Sequence, residues 1–145
     1  MIYSSCDEIV SGKNVLRSID GRYGIEFAYS MWIYIDGWSK NTCGSDPTNC
    51  TTYHIIHKGD RNKTLNGPYI FLSRSTNNEV TLNVSMDYLT NDVANKQPVI
   101  KKDITTVSNI PIKKWFYVTV VCINKYIDIY INSFLKKRGK INGIP

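Results

Sequence analysis

The sequence predicts an all-β fold, an antiparallel two-sheet sandwich. Residues 115 to 135 (WFYVTVVCINKYIDIYINSFL) read as three strands joined by Asn124-Lys125 and Asn132-Ser133. Two-residue turns that begin with Asn suit the hairpin geometry that requires positive φ. Residues 79 to 87 (EVTLNVSMD) alternate Val80, Leu82, Val84 and Met86 with Thr81, Asn83, Ser85 and Asp87, a strand with one buried face. Nowhere does a 3.6-residue apolar period appear, and runs of β-branched and aromatic residues lose side-chain freedom in a helix.

In chain order, residues 25 to 35 (IEFAYSMWIYI) form a long strand ended by Gly37 and Trp38. Residues 39 to 52 are a polar loop rich in Gly, Pro, Asn and Ser. Short strands follow at 53 to 58 and at 68 to 74, with Pro68 in a first position where a missing N–H is tolerated. Asn77-Asn78 turns the chain into the alternating strand, whose outward set includes Asn83. Residues 99 to 107 make another strand before the closing meander, so seven or eight strands are expected. Trp32 and Trp115 lie inside long apolar runs and are expected in the core.

A chain of 145 residues with 42% hydrophobic residues is sized for one domain with one core. The net charge is +6, yet the lysines are dispersed, with groups at Lys101-Lys102, Lys113-Lys114 and Lys136-Lys137-Arg138. Polyanion binding by counterion release needs a contiguous basic face, so no nucleic-acid partner is expected. The first residues show no basic segment followed by an apolar run, and the longest apolar run is nine residues, against the ~20 that span a bilayer. No secretion signal or membrane insertion is therefore expected. The chain is read either as acting inside a cell or particle or as an excised piece of something longer.

Metal and redox chemistry find little to work with. His54 and His57 are three apart, so on a regular strand they point to opposite faces and cannot share a metal. Asp36, Asp46 and Asp60 are the loop carboxylates available to a calcium ion, but their spacing does not set them apart from solvated turn residues. No cofactor is expected. Cys43 and Cys50 bracket the loop CGSDPTNC, whose Gly and Pro allow the fold-back that a disulfide requires; two free thiols or half of a zinc site are the alternatives. Cys122 reads as a buried thiol. Sequons at Asn49, Asn62 and Asn83 are expected to stay unglycosylated, although Asn83 points outward.

Four pieces in order carry a family resemblance. They are Phe27, Tyr29, Ser30, Trp32 and Tyr34 in the first strand; Ile55 to Gly59; Asn109 to Trp115; and Asp128, Tyr130 and Asn132. Residues 14 to 145, after an extension over 1 to 13, resemble the laminin G-like jelly-roll branch of the concanavalin A-like lectin/glucanase superfamily. The chain is most similar to versions from nucleocytoplasmic large DNA viruses. Ser133 stands where that branch places Gly, so a strained turn or a turn of another type is expected. The branch also continues into further strands, so the sandwich is expected to lack its last ones and to self-associate through an open sheet edge.

The resemblance implies a non-catalytic module. Glucanases of the superfamily set paired carboxylates on one strand, about 5 to 5.5 Å apart in retaining enzymes. Here a lone Asp128 stands between Tyr126 and Tyr130, so the chain is not expected to be an enzyme. A lectin-like role would use aromatic faces and hydrogen-bonding side chains displayed at loops, for which Asp36, Trp38, Tyr53, Tyr69, Asp87 and Tyr88 are the candidates, with Asn66 and Asn91 nearby. The expected partners are carbohydrate or virion and capsid proteins, the expected place a virion or the host cytoplasm. The alternative is a purely structural capsid or assembly protein completed by another chain.

Overall fold

The computed structural model describes residues 19–21, 24–37, 52–59, 65–74, 79–91 and 97–145. Nine strands run through them: β1 (Ile19–Gly21), β2 (Gly24–Tyr34), β3 (Thr52–Gly59), β4 (Asn66–Arg74), β5 (Val80–Asn91), β6 (Pro98–Val107), β7 (Trp115–Ile123), β8 (Tyr126–Ile131) and β9 (Phe134–Lys140). They form two antiparallel sheets, one ordered β1-β2-β7-β8-β9 and the other β3-β4-β5-β6. Each sheet is a run of hairpins, apart from the β2–β7 pair that joins distant parts of the chain. Trp38, Cys43, Cys50, Asp46, Asp60, Asn49, Asn62 and the 1–13 extension lie outside the described residues.

Side-chain parity decides what faces the core. The odd positions Ile33 of β2 and Ile35 just beyond it are buried, and Phe27 and Met31 of the same parity pack against the core. On β7 the buried set is Phe116, Val118, Val120 and Cys122, and on β8 it is Ile127, Ile129 and Ile131. These meet Ile70, Leu72, Leu82, Val84 and Met86 from the second sheet, closing one core between the layers.

The two sheets are tied at both ends. At the upper end, where β2 ends and β7 begins, Asn109 (φ 58°) turns the chain so that buried Ile110 donates its N–H to Val80 O at 3.0 Å. Lys113 N then donates to Ile35 O at 2.7 Å on the other sheet. The Asn109–Trp115 segment is therefore the strap that crosses between layers and delivers β7 in register. At the lower end Leu89 and Ile144 exchange backbone hydrogen bonds of 2.8 and 3.1 Å. In the β8–β9 hairpin both turn residues carry positive φ, Asn132 at 50° and Ser133 at 69°, so Ser133 adopts a conformation better suited to glycine.

Three expectations are corrected. β5 continues to Asn91, so Asp87 and Tyr88 lie within a strand, not at its end, and Tyr88 is only 8% exposed. The polar Asp87 hid this continuation; β6 pairs with it through Lys101 and Lys102, whose long side chains stay in water at the sheet edge. Asn83 does face away from the core but is buried, because Phe71 and Thr106 stand beside it on the flanking strands. Its amide donates to Ser73 Oγ at 2.8 Å and accepts from Thr106 Oγ1 at 2.9 Å. Thirdly, Trp32 and Trp115 are each 64% exposed and do not belong to the core.

Cys122 is fully buried, with its thiol donating to Ile25 O at 3.3 Å. Burial, reinforced by the Glu26 carboxylate, pushes its pKa up to about 11 from an ordinary 9.0. Between those values the unfolded chain has lost a proton that the folded chain keeps, so this thiol's contribution to stability is full below pH 9 and declines as pH rises toward 11. At pH 8, peptide mapping after iodoacetamide treatment is expected to find Cys122 unmodified in folded protein and alkylated in denaturant. Alkylation at equal rates in both would place the thiol at the surface.

Candidate ligand-binding surface

The exposed tryptophans have a common cause. Trp32 and Tyr34 occupy even positions of β2, opposite in parity to its buried Ile33 and to Ile35 just beyond it. Trp115 and Tyr117 hold the corresponding outward positions of β7. The register pairs Tyr34 with Trp115 and Trp32 with Tyr117. Ring centroids lie 5.3 Å apart in the first pair and 5.2 Å in the second, tilted by 43° and 47°. Two strand residues separate the rows, a rise of about 7 Å. The result is a four-ring platform on the outer face of the five-stranded sheet.

The surroundings hold it in place and make it amphipathic. Asn132, just past β8, accepts from Tyr117 N at 2.9 Å through Oδ1 and donates its own N–H to Tyr117 O at 2.8 Å. The next row carries hydroxyls, Ser30 Oγ and Thr119 Oγ1 at 3.0 Å from each other. Exposed apolar faces, indole N–H and phenol donors, and neighbouring hydroxyls thus share one rigid surface. Monomeric proteins keep most large aromatics covered, and a clustered exception marks a binding surface.

The outer face of the other sheet differs. The β3–β4 register slips between His54 and Ile56, a bulge at Ile55. One extra residue reverses the parity beyond it, so His54 and His57, predicted to face opposite ways, come to one face with ring centroids 6.3 Å apart. Tyr69 lies between them, 5.4 Å from His54 and 5.6 Å from His57, and stacks on Phe71 at 4.6 Å. His57 Nε2 donates to Leu65 O at 3.1 Å. Burial raises the Tyr69 pKa. Among the described residues no three His, Cys, Asp or Glu side chains gather as metal ligands. These half-buried rings read as packing.

The six residues named from sequence do not converge. Asp36 is exposed at the upper end of β2, and Tyr53, near that end of β3, packs against the core. Tyr69 belongs to the His-rich face, and Trp38 lies outside the described residues. Asp87 and Tyr88 border a cleft of about 380 Å³ at the lower end, with Asn66, Met86 and Leu89. There Asp87 Oδ2 accepts from Asn66 N at 2.8 Å and from its Nδ2 at 3.1 Å, which locks β4 onto β5. Asp128 is engaged as well: Arg138 donates Nε to Oδ1 at 2.7 Å and an Nη to Oδ2 at 2.6 Å. That bidentate pair raises the Arg138 pKa further.

The apolar runs around Trp32 and Trp115 point to the core, and Tyr34 and Tyr117 carry no surface signal of their own. In β2 parity is a signal, since Trp32 and Tyr34 stand out of phase with Ile25, Met31 and Ile33; in β7 it is weaker, because Val121 and Ile123 share the parity of Trp115 and Tyr117. No family model matches this chain, and neither the curated proteins nor the solved structures yield a match.

Proposed function

We propose that this chain is a non-catalytic carbohydrate-binding module whose site is the Trp32–Tyr34–Trp115–Tyr117 platform. The observation that carries the reading is that two tryptophans, each 64% exposed, are each paired with a tyrosine across two hydrogen-bonded strands. Sugar rings offer C–H faces that stack on indole and phenol rings, and hydroxyls that pair with groups such as Ser30 and Thr119. Rings fixed on a sheet lose little freedom when a ligand lands, so more of the contact energy appears as affinity. The lectin-like membership suggested by the sequence, and the virion setting that goes with it, belong to this same proposal and rest on the resemblance alone.

Screening the protein on a glycan array and titrating the best binder against tryptophan fluorescence tests the reading. Trp115→Ala is expected to weaken binding at least tenfold with an unchanged circular dichroism spectrum, and no new reducing ends should form. Full affinity in Trp115→Ala and Trp32→Ala would remove the platform from the site. The structural-assembly alternative uses the same exposed face as a protein contact. It predicts no array binding and a platform-dependent dimer in light scattering.

A further inference from the structure

The fold gathers lysines that look dispersed in sequence. Lys101 and Lys102 stand on β6, and Lys136, Lys137 and Lys140 on β9, all exposed. β6 and β9 are edge strands of opposite sheets, and they pack against each other along one flank of the sandwich. Gly139 of β9 lies against Thr105 of β6, where no Cβ fits. Beside it lies a polar cleft of about 320 Å³ lined by Thr105, Thr106, Lys137 and Lys140, with Asp103 and Ile104.

The acids of these strands and of their neighbours β5 and β8 are engaged elsewhere: Asp87 of β5, opposite Lys102, accepts from Asn66 through Oδ2. Asp103 Oδ2 accepts from Asn142 N at 2.9 Å and from Asn142 Nδ2 at 3.1 Å. Asp128 is taken by Arg138. Among the described residues no ion pair involves Lys101, Lys102, Lys137 or Lys140.

We propose that the β6–β9 flank binds a linear acidic polysaccharide, its sulfate or carboxylate groups held by Lys101, Lys102, Lys137 and Lys140 and its hydroxyls by Thr105 and Thr106. From Lys101 to Thr106 the flank runs about 17 Å, room for several charged groups. Lysines on an edge also deter strand pairing, but that role needs neither two converging edges nor a cleft lined with hydroxyls. A nucleic acid fits less well. No aromatic ring lines this cleft, so an unstacked base has no face to rest on, and the described residues hold no helix to lie in a groove. The choice of a sugar polymer rests on the reading of the platform; the charge argument stands without it.

A heparin-derived oligosaccharide is the probe, titrated by calorimetry at several salt concentrations. Binding is expected, and it should weaken steeply as salt rises. Lys137→Gln/Lys140→Gln should weaken it by about tenfold, as two cation contacts are lost. Lys113→Gln/Lys114→Gln removes the same charge at the upper end and should change it by less than about twofold. Trp115→Ala should leave it unchanged, which separates failure of the flank from failure of the platform. Absence of binding, or equal weakening by both lysine pairs, overturns the proposal. So does tighter binding of a DNA oligonucleotide of matched charge.

Discussion

Phe116→Ala is expected to lower unfolding free energy by about 3 to 5 kcal/mol, and Trp115→Ala, one residue away, by less than about 1 kcal/mol. Phe116 is fully buried and registers with Ile33 across the β2–β7 pair, so its removal opens a cavity in the layer where the two sheets meet. Trp115 contributes a larger ring, yet most of its surface is already in water and its truncation leaves no cavity. Hydrophobicity alone ranks the two the other way round. Urea denaturation of both variants, with the slope checked for constancy, reads the difference directly. Equal losses would mean that the outer face of β7 is covered and that the platform is not a surface at all.

The contrast also shows how far the sequence carries. Apart from the continuation of β5, strands β2 to β8 match the expected runs within two residues at each end, and β9 starts where expected, because period-two alternation and Asn turns are local signals. The strap at Asn109–Trp115 was recognisable as a segment before its job was visible; only the pairing of Ile110 with one sheet and of Lys113 with the other shows that it joins layers. Other features depend on partners. The bulge at Ile55 exists only relative to β4, and with it the shared face of His54 and His57. Asp87 resembles a strand end and so puts Tyr88 beside a loop, whereas β6 continues to pair beyond it. The same holds for charge: Lys101 and Lys137 are far apart in sequence and share a flank because edge strands of opposing sheets meet there. Parity within a strand is legible from one chain; register between strands and contact between sheets are not.

Gly139→Ala is expected to cost about 2 to 3 kcal/mol, a large penalty for adding one methyl group to an exposed edge strand. The inner side of Gly139 rests on Thr105, and an added Cβ would fall 2.9 Å from both Cβ and Cγ2 of Thr105 and overlap its Oγ1. Relief would require β9 to move away from β6, and neither strand is free to do so. β9 is held to β8 by the Asp128–Arg138 pair, and the chain after β9 is held by buried Ile141 and by the Asn142–Asp103 hydrogen bonds. Thr105→Gly removes the obstructing atoms, so the double variant should be more stable than the sum of the single losses predicts. A coupling of at least about 1 kcal/mol in the cycle is the expected signature. An ordinary strand glycine gives the opposite sign, because alanine restricts the unfolded chain and stabilises wherever there is room for it. A neutral or stabilising Gly139→Ala would therefore show that the two edges do not meet, and the cleft built on their contact would lose its floor.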